Sequence, residues 1–118
     1  MPLDYKLLLK DILDALIKIK KYTEGMTYED FVNDDKTKDA VLHNFAVIGE
    51  AVKGIPEDIR LRYPEIEWRK LAGFRDVIIH QYFGIDLEIV WDAIEKELDE
   101  LEKQIEAILP LNNDGPRT

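Results

Sequence analysis

The stretch Asp86-Leu-Glu-Ile-Val-Trp-Asp-Ala-Ile-Glu-Lys-Glu-Leu-Asp-Glu-Leu-Glu-Lys-Gln-Ile-Glu-Ala-Ile-Leu109 decides the fold class. Its apolar residues Leu87, Trp91, Ile94, Leu98, Leu101, Ile105 and Ile108 recur in alternating steps of four and three. That spacing puts them on one side of an α-helix, as the seam of a helix packed lengthwise against a neighbour. A strand would instead alternate apolar and polar residues every second position. Asp86 is placed to cap this helix, and Pro110 ends it.

Working outward, the same period recurs. A first helix is expected over about Asp4 to Tyr22, with Leu8, Ile12, Ala15, Leu16 and Ile19 as its apolar stripe and Gly25 as terminator. Thr27 reads as the N-cap of a short helix carrying Tyr28, Phe31 and Val32. A break near Asn33-Asp34-Asp35 leads into a longer helix to about Lys53, with Ala40, Val41, Phe45, Ile48, Ala51 and Val52 inside. Pro56 opens a brief helix that ends by Arg62, and a further helix runs from about Glu67 to His80 around Leu71, Phe74, Val77 and Ile78. No strand alternation or internal repeat interrupts the pattern. The expectation is an all-α, up-and-down bundle of about four long helices plus short helices. It forms one domain over residues 1–110, followed by a flexible C-terminal tail over 111–118.

The composition removes several function classes. With no cysteine among 118 residues, disulfides and thiolate metal sites are excluded. Two histidines, His43 and His80, are too few and too far apart for a zinc site, so no metal or cofactor is expected. No apolar run is long enough to span a bilayer, and Asp4, Lys6, Lys10 and Asp11 interrupt any signal-peptide pattern. A soluble cytoplasmic protein without membrane contact is the expectation. The net charge of −9 opposes indiscriminate nucleic-acid binding, but it is unevenly distributed. From Asp86 to Glu106 nine acids face two lysines, whereas from Arg60 to Arg75 five basic residues face two acids. Both stretches are also what ordinary solvated helix faces look like.

The polar residues with chemical potential concentrate in Gly73-Phe-Arg-Asp-Val-Ile-Ile-His-Gln-Tyr-Phe-Gly84. Histidine moves protons near neutral pH, arginine holds phosphate oxygens in a planar fork, and tyrosine stacks on a base or bonds a phosphate. Such a set cleaves RNA without a metal if His80 takes the proton of a ribose 2′-OH while Arg75 stabilises charge on the phosphate. Asp76 stands four residues before His80 on the same helix face, where a carboxylate can orient the imidazole. Arg75 and His80 are five apart, which on an ideal helix leaves about 140° between them. Either the helix distorts, or Arg75 swings around, or a second subunit completes the site. The plain structural alternative is an ion-paired cluster, with Asp76 bound to Arg69 or Arg75. His43, between Leu42 and Asn44, reads as a partly buried or interfacial side chain.

The pattern of Arg75, His80 and Tyr82, with Asp76 directly after the arginine, resembles the motif of HEPN-domain ribonucleases. The surroundings resemble the HepT-like group in particular: Ala46-Val-Ile-Gly-Glu-Ala51, Tyr63-Pro64, Trp68, Gly73-Phe74, His80-Gln-Tyr-Phe-Gly-Ile-Asp86 and Val90-Trp91, in that order. The resemblance implies a HEPN-like bundle and a metal-independent endoribonuclease toxin of a prokaryotic toxin–antitoxin pair. It implies Arg75 and His80 as catalytic residues and Asp76 and Tyr82 as supporting ones. It further implies a homodimer whose two motifs face a shared cleft, RNA as substrate, and an MNT-type minimal nucleotidyltransferase as antitoxin. In part of the group that partner transfers AMP onto the motif tyrosine, here Tyr82. The alternative is a non-catalytic nucleotide- or substrate-binding subunit of a nucleotidyltransferase complex. A purely structural helical dimer ranks last, because it leaves the polar motif unexplained.

Overall fold

The computed structural model describes residues 4–109. Among them every regular element is helical: α1 (Tyr5–Thr23), α2 (Tyr28–Val32), α3 (Asp35–Lys53), α4 (Glu57–Arg62), α5 (Trp68–His80), a single 3-10 turn (Tyr82–Gly84), α6 (Leu87–Lys96) and α7 (Leu98–Ile108). The expected all-α, HEPN-like bundle is therefore the observed architecture. The proposed tail, residues 111–118, lies outside the described residues.

The helix boundaries follow local chemistry. The Asp4 carboxylate accepts from the Lys6 N–H at the start of α1, and Gly25, with φ of 77°, turns the chain out of it. Thr27 and Asp30 form a reciprocal capping box on α2, each side chain accepting the other's backbone N–H. Asp34 caps α3, and Asp86 caps α6 through the Glu88 N–H. Pro56 precedes α4 as its N-cap rather than entering its first turn.

Helix α3 is the centre of the bundle, with α1 packed along one side and α5 along another; α7 lies on α1, and α6 contacts α2. The core joins Leu9, Ile12, Leu16 and Ile19 of α1, Val41, Phe45, Ile48 and Val52 of α3, and Trp91, Leu98, Leu101 and Ile105 of the last helices. Phe31 fills the end near α6, its ring 5.3 Å from that of Trp91. Burial of these side chains, at about 1.5–3 kcal/mol each for the large aliphatic and aromatic ones, drives assembly.

Several expectations are corrected. The last helix is not continuous: it is interrupted at Glu97 (φ −116°, ψ −27°), although the Glu97 N–H still donates to the Ala93 carbonyl and the Leu101 N–H to that of Glu97. The two halves lie on different partners, α6 on α2 and α7 on α1; of the seam residues Trp91, Leu98, Leu101 and Ile105 are buried, and Leu87, Ile94 and Ile108 are half-buried. In α1, Leu9 and Leu13 are buried while Leu8 is only half-buried. In α5, Leu71 and Phe74 are half-buried and Val77 is exposed; the helix packs chiefly on α3, while Trp68 at its start donates to the Arg60 and Tyr63 carbonyls and Lys70 pairs with Glu97. His43 is exposed in the single chain, which removes the partly buried reading and leaves the interfacial one.

Candidate active site

Helix α5 keeps its regular form through His80, the Gln81 N–H donating to the Val77 carbonyl at 2.8 Å. The five-residue spacing therefore keeps its consequence: Arg75 and His80 leave the helix in directions about 140° apart. Arg75 turns toward α3. His80 is exposed at the last turn of α5.

Arg75 is held where α3 and α5 come closest. A Cβ on Gly49 would lie 2.8 Å from the Leu71 carbonyl oxygen and 3.1 Å from Arg75 Cγ, and nearer still to Arg75 Cβ. Only glycine permits that approach. The Arg75 guanidinium is then ion-paired through Nε with Glu50 at 3.2 Å and donates from Nη1 to Asp76 at 3.1 Å. Asp76 is bonded in turn to Lys53 Nζ at 2.5 Å. Glu50, Arg75, Asp76 and Lys53 form a chain of alternating charge that ties α3 to α5. Lys53, and after it Arg75, holds the Asp76 carboxyl below the usual aspartate range.

Asp76 does not orient the imidazole as its spacing allows. Both of its side-chain partners are cations, Lys53 and Arg75, and the ion pair with Arg75 is the one the structural alternative anticipated. A carboxylate gains more from two full positive charges than from a hydrogen bond to a neutral imidazole. In this arrangement Arg75 is turned to Glu50 and Asp76 and not toward His80. Within one chain, then, the structure brings Arg75 and Asp76 together and keeps His80 apart from them.

Tyr82 sits in the 3-10 turn that follows α5, where its hydroxyl donates a hydrogen bond to Asp39 on α3. That bond, with partial burial, pushes the phenol up to about 12, so the hydroxyl is fully protonated at neutral pH. Phe83 beside it is fully exposed and meets the Tyr82 ring edge-on at 5.4 Å. Asp39, Glu50 and Lys53 escaped the sequence reading because each is separated by more than twenty residues from the motif residue it binds; the glycine in Gly49-Glu50 was the one available hint of a close helix crossing. Among the described residues no cluster of three or more His, Asp or Glu side chains is arranged to hold a metal ion.

The fold and this polar edge define an all-helical bundle of the HEPN-like type, carrying Arg, His and Tyr on one helix and the turn after it. The profile of the ribonuclease HepT-like family matches residues 12–108, and the chain belongs to that family. Membership assigns it to the ribonuclease class. Among its relatives, a protein of Methanocaldococcus jannaschii named "Putative RNase MJ1216" is 47% identical over 106 residues, covering 90% of this chain and 88% of the relative. A Caldanaerobacter subterraneus protein named "Putative RNase TTE0752" is 40% identical over 101 residues, or 86% of this chain and 90% of its own. "Probable ribonuclease HepT" of Thermococcus cleftensis is 38% identical over 108 residues, covering 92% of this chain and 98% of the relative. No solved structure gives a significant match. Among the described residues no helix is long and apolar enough to cross a membrane.

Proposed function

We propose that the chain is the toxin of a toxin–antitoxin pair, a metal-independent endoribonuclease that works as a homodimer. The observation that carries this reading is the regular course of α5, which separates Arg75 from His80 while leaving His80 exposed. Two-fold pairing of such motifs gives one cleft an arginine from one subunit and a histidine from the other. Neutral His80 takes the proton of a ribose 2′-OH. The 2′-oxygen bonds to phosphorus, the bond to the 5′-oxygen breaks, and the leaving oxygen takes up a proton. The products are a 2′,3′-cyclic phosphate and a 5′-hydroxyl end. Arg75 stabilises the charge on the non-bridging oxygens, and to do so exchanges at least one of its carboxylate partners for phosphate. Tyr82 borders this cleft as a neutral hydroxyl, positioned for contact with the RNA.

Control by an MNT-type nucleotidyltransferase belongs to the same reading. Transfer of AMP from ATP to the Tyr82 hydroxyl, with loss of the phenolic proton and release of pyrophosphate, would place a bulky anion at the motif, repelling the RNA backbone. The exposed end of the turn supports it, since Tyr82 is only partly buried beside a fully exposed Phe83.

The deciding experiment incubates the protein and its His80→Ala variant with total cellular RNA in the presence of a chelator. Cleavage by the parent alone is expected. No cleavage by either folded protein would leave the non-catalytic subunit of a nucleotidyltransferase complex as the function.

A further inference from the structure

Of the basic residues between Arg60 and Arg75, only Arg75 has a part in the chemistry above. Two of the others lie at the start of α5. Lys70 is neutralised by Glu97 at 2.8 Å and Glu67 at 3.7 Å. Arg69 is exposed, and no ion pair among the described residues engages it. The chain just before it is firmly held, because the buried Trp68 indole donates to the Arg60 and Tyr63 carbonyls at 3.1 and 3.0 Å. Arg69 precedes His80 by eleven residues, about three turns of a regular helix, so the two leave α5 within about 20° of each other. They stand about 16 Å apart along the axis, at a rise of about 1.5 Å per residue. Ile78 and Leu71 project from the opposite side of α5, toward the core, so the line from His80 to Arg69 faces outward. Two residues lie between them on that line. Gly73 is exposed and carries no side chain, and a Cβ there would meet nothing within 4 Å. Asp76 is drawn to Lys53 and Arg75, which offset its charge. The outer face of α5 therefore runs from His80 to a free cation across low ground with no unpaired acid.

We infer that Arg69 binds a backbone phosphate of the single-stranded RNA substrate, a few nucleotides from the bond cleaved at His80, and that the strand runs along the outer face of α5. The inference rests on the ribonuclease reading for the position of the cleaved bond. A guanidinium stays charged at any working pH and holds phosphate oxygens in a planar fork. Arg75 must give up a carboxylate to take a phosphate, whereas Arg69 has none to give up. In a chain of net charge −9 a strand is held only where positive charge is locally free, and on this face Arg69 supplies it. A contact to phosphate fixes the register of the strand and reads no base, so Arg69 positions the substrate without selecting its sequence.

The test uses fluorescein-labelled 2′-O-methyl RNA of about ten nucleotides, which binds without being cut because its 2′-oxygens are blocked. Binding to the full chain is followed by fluorescence anisotropy over a range of salt. Arg69→Ala should weaken it by about fivefold or more on every sequence tried, and lower the slope of log affinity against log salt by about 0.7, one phosphate contact on a single strand. Arg69→Lys should recover most of the affinity, since it keeps the charge. Lys10→Ala, the same charge change on α1, which packs on α3 and α7, should move affinity by less than about twofold. With cleavable RNA of the same length, Arg69→Ala should raise KM by a similar factor and leave kcat in place. On a dinucleotide, whose one phosphate is the scissile one, it should match the parent. Absence of binding by the parent, equal weakening by Arg69→Ala and Lys10→Ala, or an equal loss on the dinucleotide would overturn the proposal. So would a change in oligomeric mass of Arg69→Ala, which would seat Arg69 in a contact between copies. Binding that depends on Arg69 in a parent that cuts no RNA would support the phosphate contact and remove the ribonuclease reading instead.

Discussion

Gly49 on α3 and Arg75 on α5 meet with no room for one added carbon. A Cβ at Gly49 would press on Arg75 Cβ and Cγ and stand 2.8 Å from the Leu71 carbonyl oxygen. The same crossing that binds the two helices therefore aims the arginine of the motif along α3 to Glu50.

Gly49→Ala is expected to force the helices apart, destabilising the fold by about 1–3 kcal/mol in urea unfolding and displacing Arg75. Gly73 provides the control, because a Cβ there meets nothing within 4 Å. Gly73→Ala, at an exposed helix position, should stabilise by about 0.5–1 kcal/mol. Equal effects of the two would dissociate Gly49 from the packing of Arg75.

If one cleft takes Arg75 and His80 from different subunits, two inactive variants rescue each other. Arg75→Ala and His80→Ala should each be inactive on RNA alone. After mixing and exchange, half the dimers are mixed, and each mixed dimer holds one intact pair, so about a quarter of parental activity returns. No recovery, with subunit exchange verified by mass, would place both residues of a working site in one chain. Because His80 is exposed, His80→Ala should leave unfolding stability within about 0.5 kcal/mol of the parent.

Asp76 acts on Arg75 and Lys53 instead of His80. Its carboxyl titrates lower in the folded chain than in the unfolded one, with Lys53 the larger cause. The stability it contributes is therefore fully present above the ordinary aspartate range and is lost as pH falls through the lowered folded value. Asp76→Asn should lower the melting temperature at neutral pH, and the gap to the parent should close as pH falls below that range. A gap that persisted unchanged in acid would remove the ion pair as its cause.

The Tyr82–Asp39 bond has its own signature. The Tyr82 phenol is raised to about 12, so tyrosinate absorbance at 295 nm should show one late step that is absent in Tyr82→Phe. Asp39→Ala should return that step to near the ordinary tyrosine value. The stability from this hydrogen bond is complete below the unfolded tyrosine pKa and is lost as pH rises through the folded value, a window of about pH 10 to 12. Tyr82→Phe should also abolish any AMP modification by a nucleotidyltransferase; label persisting in that variant would move the acceptor elsewhere.

Much of the architecture was legible in the chain itself, because helices are set by near-neighbour chemistry. The period of Leu87 to Ile108, the capping box of Thr27 and Asp30, the Asp86 cap and the left-handed Gly25 all act within a few residues of one another. The placement of Arg75 and His80 on opposite sides of α5 was likewise fixed by their spacing once the helix held its form. Other features depend on which helices become neighbours. The interruption at Glu97 falls between α6, which contacts α2, and α7, which lies on α1, and Val77 lies on a part of α5 left exposed. Asp39 reaches Tyr82 across 43 residues, and Lys53 reaches Asp76 across 23. Periodicity marks one face of each helix as apolar, but it carries no record of what the polar faces meet. That pairing, which turned Asp76 from His80 to Lys53 and Arg75, was decided by tertiary packing, where the strongest available countercharge wins.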